Sequence, residues 1–136
     1  MINPSSNPRL KAGYSLVELM AVLIIIGILA GIVYPSYTQY IQKSRRSDAH
    51  VGLLRLGVLM EHYYTENNSY SDATLTKVGS AEQTPEGYYT LTISELTDTS
   101  YTLTATPVPE KSQAQDRCGN LTLTHTNVKG PSLDCW

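Results

Sequence analysis

Apolar residues are concentrated near the start of the chain, in a run from Tyr14 to Tyr34. The run reads YSLVELMAVLIIIGILAGIVY, and Glu18 is its only charged residue. As a helix, its 21 residues would extend about 31 Å, close to the hydrocarbon thickness of a bilayer. Each leucine or isoleucine favours insertion by about 0.3 to 0.6 kcal/mol, so the run outweighs one acid near its end. The pattern predicts a membrane-spanning helix, because a small domain has too little structure to bury such a helix.

Beyond Pro35 the pattern becomes amphipathic, with apolar residues at steps of three and four. It predicts that the helix continues to about Thr65, with one face in the core of a domain and a polar face opposite. The predicted core positions are Ile41, Ala49, Leu53, Leu56, Met60 and Tyr63 or Tyr64, with Leu54 and Val58 widening the face. The predicted polar side carries Lys43, Arg45, Arg46, Arg55 and Glu61.

Apolar and polar residues alternate in the second half of the chain, which is the period of half-buried strands. A loop over 69–87 is expected to separate these strands from the helix. The three predicted strands are YYTLTISEL, with Tyr89, Leu91 and Ile93 on one face, YTLTATPV, with Tyr101, Leu103 and Ala105, and NLTLTHT, with Leu121 and Leu123. Their shared apolar face needs a cover, which the amphipathic helix supplies. The predicted fold class is therefore α+β, a long N-terminal helix packed on a small antiparallel sheet.

The net charge of the 136 residues is −2, from ten Lys and Arg against twelve Asp and Glu. Arg9 and Lys11 precede Gly13, and without them the balance is eight against twelve. A mildly acidic chain argues against general binding of phosphate backbones, which requires clustered basic residues. The only dense basic cluster in the sequence is Lys43, Arg45 and Arg46.

The meaning of the two cysteines, Cys118 and Cys135, depends on whether the chain is exported. They would be free thiols in a cytosolic protein and a disulfide closing a loop in an exported one. A secretory signal peptide has a shorter apolar segment and a small-residue cleavage site after it, whereas Pro35 and Tyr37 follow this run. The leader-like segment instead lies in front and ends at Gly13, so we expect the hydrophobic helix to be retained. Basic residues on both sides leave its orientation undecided.

The stretch KAGYSLVE, followed by an apolar helix, resembles the class III signal of type IV pilins and type II secretion pseudopilins. This resemblance implies that a prepilin peptidase cuts between Gly13 and Tyr14 and methylates the new amine of Tyr14. The family usually has Phe or Met there, and Tyr14 departs from that pattern. It also implies that Glu18, the fifth mature residue, pairs with an N-terminal amine and guides assembly. An ionised carboxylate in hydrocarbon normally needs such a partner; the alternative is an interfacial acid that reaches the lipid head groups.

Two glycines and a proline interrupt the apolar helix. Gly27 and Gly31 have the Gly-x-x-x-Gly spacing of helix packing in membranes. In pilins, a glycine at the position of Gly27 and a proline at that of Pro35 bracket a segment that loses helical order on assembly. Proline also removes a backbone donor and clashes with the preceding turn. We therefore expect the helix to extend between Gly27 and Pro35 in a filament.

The resemblance implies three parts: a leader over 1–13, a transmembrane and assembly helix over 14–35, and a periplasmic, later extracellular, pilin head over 36–136. EHYYTENNSY resembles the end of this helix in minor pilins of the PilE type. DRCGNLTLTHTNVKGPSLDCW resembles the disulfide-bounded loop of these pilins, which implies a bridge between Cys118 and Cys135. In the family this loop is an exposed face that receptors or neighbouring subunits contact.

The function that the resemblance predicts is a structural subunit of a type IV pilus, a minor pilin needed for pilus assembly, adhesion or twitching motility. Its expected partners are other pilin subunits, the prepilin peptidase, the inner-membrane assembly machinery, and a host receptor or DNA. It is expected in the bacterial inner membrane before assembly and in the extracellular pilus, or fimbrium, afterwards. The alternatives are a major pilin, a type II secretion pseudopilin, and a DNA- or receptor-binding pilin. The last would use Lys43, Arg45 and Arg46, which are otherwise a solvated helix face.

Catalytic patterns are missing from the sequence. His50, His62 and His125 lack the spacing of metal ligands and are expected on the surface or on a helix face. GYSLV lacks the final glycine of a nucleophile elbow, and no Walker A or calcium-binding loop is present. We therefore expect no enzymatic activity, cofactor or metal.

Overall fold

The computed structural model describes residues 13–136, so the predicted leader lies almost entirely outside the described residues. The chain forms two compact units, of which the first ends at Tyr37 and the second is Thr38–Trp136. The elements are α1 (Leu16–Asn67), β1 (Tyr89–Ser94), β2 (Thr102–Pro107), β3 (Leu121–Thr124), β4 (Lys129–Gly130) and two short 3₁₀ helices, Ser112–Gln115 and Leu133–Cys135.

The first unit is the beginning of α1, whose side chains are exposed as far as Tyr37. Its most apolar window has a mean hydropathy of 2.9, and none of that window is buried against protein. By length and composition this is a helix that could cross a membrane. The helix continues through Pro35.

The core of the second unit lies between the later turns of α1 and one face of the sheet. Ala49, Leu53, Leu56 and Met60 are fully buried, at alternating steps of four and three. The sheet contributes Tyr89, Leu91, Tyr101, Leu103, Ala105, Leu121 and Leu123. The predicted fold class and the predicted inward face of each strand are therefore confirmed.

The sheet is antiparallel and has the order β1-β2-β3-β4. Leu103 lies opposite Ile93 on one side and Leu123 on the other, which brings apolar side chains of three strands together. The fourth strand was not predicted, because two residues are too few to show an alternating pattern.

Several side chains on α1 differ from the prediction. Leu54 and Val58 are 47% and 70% exposed, so they do not widen the core face. Arg46, predicted on the polar side, is buried. The helix also ends at Asn67, two residues beyond Thr65. The apolar period identified the centre of the face correctly, but the sheet covers a narrower strip of helix than the period allows.

Candidate functional site

The N-terminal end of α1 carries the residues for which the sequence predicts processing and assembly. Tyr14 is exposed and lies before the helix. The hydroxyl of Ser15 accepts a hydrogen bond from the Val17 amide at 3.2 Å and caps the helix. Glu18 falls in the first turn, where the helix dipole favours an acidic side chain. The segment is thus a capped helix start with one acid.

Gly27 and Gly31 lie on the exposed part of this helix. A Cβ added at either position would meet no atom within 4 Å, apart from its own helix and its chain neighbours. The small residues therefore leave open surface that another helix could approach closely.

Arg46, on the second unit's part of α1, pairs with Asp116 in a buried bidentate ion pair. The guanidinium donates from Nε to Oδ2 at 2.7 Å and from Nη2 to Oδ1 at 2.6 Å. Asp116 also accepts from the Gln113 amide and the Cys118 backbone N–H. Burial alone would raise the pKa of Asp116, but these donors and the charge of Arg46 hold it below its usual value. This pair fixes the 3₁₀ helix that precedes Cys118 against α1.

Asp48, two residues further along α1, fixes a second segment. Its buried carboxylate accepts from the Thr84 hydroxyl and from the backbone N–H groups of Glu86, at 3.0 Å, and Tyr88, at 3.3 Å. Gly87 completes the turn with a φ of +71°, which favours glycine. A helix side chain thus determines the position of the turn that leads into β1.

Arg45 and Lys111 meet on the ring that this turn presents. The Arg45 guanidinium carbon lies 4.6 Å from the centre of the Tyr88 ring, and Lys111 Nζ lies 4.9 Å from it. Arg45 also donates to the Ser112 hydroxyl, and Lys111 donates to the Gly87 carbonyl. We name Arg45, Tyr88 and Lys111 the Tyr88 cluster.

The C-terminal loop is attached to the same helix. Cys118 and Cys135 form a disulfide with their Cα atoms 5.9 Å apart, as the family resemblance implied. His50 Nε2 donates to the Cys135 carbonyl at 3.0 Å, and its ring stacks on Trp136 at 4.6 Å. Lys129 Nζ lies 4.9 Å from the centre of the Trp136 ring. Burial is the main cause that lowers the pKa of His50, assisted by the charge of Lys129 and opposed by the hydrogen bond.

The basic cluster that the sequence suggested is therefore divided by the structure. Arg46 is neutralised in the core, so the prediction of one patch of Lys43, Arg45 and Arg46, or of one solvated helix face, is wrong. Arg45 is joined instead by Lys111, which lies 66 positions later in the sequence. Sequence reasoning missed this partner because no local pattern links two residues so far apart.

His50 differs from its prediction as well. It is half-buried between α1 and Trp136 rather than free on the surface, whereas His62 and His125 are exposed. Within residues 13–136, no group of His, Cys, Asp and Glu is arranged to hold a metal ion.

Solved structures with this arrangement are type IV pilins. The chain is 28% identical to a type IV pilin from Shewanella oneidensis, with a TM-score of 0.55 over 70% of this chain and 97% of that one. It also matches the non-core minor pilin PilV of Neisseria meningitidis, at 22% identity and a TM-score of 0.58, over 69% and 89% of the two chains. The second likeness concerns the fold alone. The class that the fold defines is thus the type IV pilin.

Family models give a narrower assignment. Residues 8–34 match the prokaryotic N-terminal methylation motif. Residues 35–122 match the family described as type IV minor pilin ComP, DNA uptake sequence receptor. This second match covers more than half of the chain, and the chain belongs to that family.

Curated relatives match shorter stretches. The chain is 39% identical over 66 residues to the type IV major pilin protein PilA of Myxococcus xanthus (strain DK1622), covering 48% of this chain and 30% of the relative. It is 51% identical over 47 residues to fimbrial protein Q of Moraxella bovis, covering 35% and 29%. The chain thus matches less than a third of the length of each of these relatives.

These comparisons confirm the predicted type IV pilin with a class III signal and the predicted minor-pilin role. The family is one of structural pilins. The methylation motif and the apolar helix indicate a membrane-anchored pilin that assembles with other pilins into an extracellular pilus.

Proposed function

We propose that this minor pilin binds DNA through its head and takes part in DNA uptake by the pilus. The family match over residues 35–122 carries this proposal, because the description of that family names a DNA uptake sequence receptor. The geometry of the head supports it. Apart from Arg46, no Lys or Arg in the described part of the chain forms an ion pair. The acidic chain therefore still offers free cations locally, which backbone binding requires.

Processing is the step that would prepare the subunit. We propose that prepilin peptidase removes residues 1–13, that Tyr14 becomes a methylated amine, and that Glu18 pairs with such an amine during assembly by the inner-membrane machinery. Residues 14–35 would remain in the membrane, with the helix extending between Gly27 and Pro35 on incorporation. The head over 36–136 would face the periplasm before assembly. The subunit then acts as a structural component of the filament and not as an enzyme.

Other pilin subunits have an exposed surface of α1 to contact. Val51, Leu54 and Val58 are 55%, 47% and 70% exposed, and their spacing of three and four places them on one stripe of the helix. A stripe of this kind is suited to packing against another helix, which supports incorporation along a shaft.

The proposal of DNA binding is tested with the full chain in nonionic detergent micelles and a labelled duplex, by fluorescence anisotropy over a series of salt concentrations. We expect binding that weakens linearly with the logarithm of salt concentration. In cells, deletion of the gene should reduce DNA uptake while pili remain on the surface. Absence of duplex binding at low salt, together with normal uptake in the deletion strain, would refute the proposal.

Mass spectrometry of sheared filaments tests the processing step and the place of the subunit. A methylated peptide beginning at Tyr14, at a small fraction of the dominant pilin, is the expected result. A dominant amount would indicate a major pilin, and a processed chain absent from filaments would indicate a secretion pseudopilin. A protein that retains Met1 would overturn the processing proposal.

A further inference from the structure

The Tyr88 cluster holds two positive charges without a negative partner. In residues 13–136 the ion pairs are those of Arg46 with Asp116 and of His62 with Glu66. Neither Arg45 nor Lys111 is among them, although Glu110 is adjacent to Lys111 in the sequence. Lys111 is exposed and Arg45 is partly exposed, so an anion from solution can reach both.

The positions of the two cations are fixed by contacts that do not consume their charge. Arg45 donates to a hydroxyl and Lys111 to a carbonyl, both neutral groups, and the two side chains share the Tyr88 ring. The ring in turn depends on Asp48, which accepts from the Tyr88 amide. Long basic side chains normally lose rotamer freedom on binding, and side chains already held in place lose less. The cluster is therefore a preorganised pair of anion contacts.

The charge pattern and the size of the site favour a phosphodiester chain over a small anion. The two cations lie at 4.6 and 4.9 Å from one ring centre, so they are spread over a short length of surface and not converged on one point. No enclosing pocket is lined by any of the three residues among the described cavities. An open, two-point basic surface suits a polymer of repeating negative charge.

We propose that Arg45 and Lys111, held on the ring of Tyr88, contact the phosphate backbone of duplex DNA, an inference that rests on the proposed function. The ring serves as a platform for the cations and is not free to stack on a base. The contact therefore contributes affinity and orientation, and sequence is read elsewhere on the head.

The test compares the full chain with R45Q/K111Q in nonionic detergent micelles, by anisotropy of a labelled duplex between about 0.05 and about 0.3 M salt. Two lost phosphate contacts should lower the slope of log affinity against log salt by about 1.8. At about 0.15 M salt the same counterion relation gives a loss of about 30-fold. The loss should be equal for duplexes of unrelated sequence, since a backbone contact does not distinguish bases.

A matched control removes the same charge elsewhere on the head. R55Q/K77Q changes two exposed cations that form no ion pair within residues 13–136, and it should weaken binding less than about 3-fold, as expected for charges outside the contact. Substitutions of the ring supply a second comparison. Y88F keeps the ring and should bind like the unchanged chain, whereas Y88L removes the platform and should weaken binding. Far-ultraviolet circular dichroism, together with the fluorescence of the single tryptophan, verifies that each variant is folded.

Each outcome separates this site from the broader proposal. If the unchanged chain binds no duplex, the proposed function fails and the site fails with it. If the chain binds and R45Q/K111Q binds equally well, or if both double variants lose the same affinity, the site is overturned while DNA binding stands. If R45Q/K111Q leaves duplex binding intact but abolishes attachment of nanodisc-held chain to phosphatidylglycerol vesicles, the cluster contacts membranes instead.

Discussion

Replacing Arg46 with methionine should expose how much the head depends on its buried ion pair. The Asp116 side chain is fully buried and that of Arg46 is 6% exposed, so the substitution leaves a carboxylate in the core without its counterion. Removing one partner of such a pair costs about 3 to 5 kcal/mol. Asp116 keeps the hydrogen bonds from Gln113 and Cys118, which places the expected loss near the lower value, about 3 kcal/mol.

The assay is urea unfolding of the full chain in nonionic detergent, followed by the fluorescence of Trp136, the only tryptophan. Against a total stability of about 5 to 15 kcal/mol, the expected loss is large and should lower the melting temperature by about 12 °C or more. Arg55→Met is the matched control. Arg55 lies on the same helix, is exposed and forms no ion pair within residues 13–136, so its replacement should change stability by less than about 0.5 kcal/mol.

The dependence on pH gives this prediction a sign. In the unchanged chain the pKa of Asp116 is lowered, so its contribution to stability is present above about pH 4 and is lost on further acidification. Without Arg46, burial dominates and raises that pKa. The variant should then regain stability as the pH falls from about 7 to about 5, because the carboxyl takes up a proton in the core. Both chains should carry His50→Gln, so that the imidazole does not titrate in the same range.

Either of two results would refute this reasoning. A loss below about 1 kcal/mol at neutral pH would mean that the ion pair is not the main fixation of this segment. A full loss that is identical at pH 5 and pH 7 would mean that Asp116 does not remain as a buried, titrating carboxyl.

Three further perturbations have expected outcomes. His50→Gln should remove a decline in stability that the unchanged chain shows as the pH falls through about 6.5, because the lowered pKa of His50 makes the neutral ring against Trp136 the stabilising form. Gly52→Ala should cost about 1 to 3 kcal/mol, since its Cβ would lie 2.7 Å from a methyl group of the buried Thr84, whereas Gly57→Ala meets nothing closer than 3.7 Å and should gain up to about 1 kcal/mol of helix propensity. Reduction of the disulfide, which joins residues 17 apart, should cost about 3 kcal/mol.

Urea unfolding measures all three, and each has its own comparison. His125→Gln, at an exposed histidine, should keep the acid decline; if His50→Gln keeps it too, another group is responsible. Equal effects of alanine at Gly52 and Gly57 would contradict the close contact with Thr84. If the reduced and oxidised chains unfold at the same urea concentration, the loop is held by its other contacts.

The period of apolar residues was sufficient to predict the fold. Leu53 and Met60 on the helix, and Leu103 and Leu121 on the strands, are buried because burial of apolar area is what their spacing encodes. The family signal at Gly13 added the class of protein. Hydrophobic pattern failed where a neighbour decides the matter, as at Leu54, whose exposure depends on how far the sheet extends across the helix.

The polar site could not be predicted for a related reason. Arg46 and Arg45 are adjacent and chemically alike, yet one is buried against Asp116 and the other lies on Tyr88. Their different environments come from loops that are distant in sequence and pack on opposite sides of a single helical step. Charge counted along the chain therefore overestimated the basic patch on α1 and missed the contribution of Lys111.

The two stems of the C-terminal loop are fastened to a single turn of α1. Asp116, just before the first cysteine, is held by Arg46, and Trp136, just after the second, is held by His50, four positions further along the helix. The attachment thus lies outside the stretch between β3 and Cys135, where Val128 and Leu133 are 61% and 78% exposed. Substitutions in that stretch can change what the tip displays while leaving its mounting unaltered, so the head is built as a fixed base with an exchangeable face.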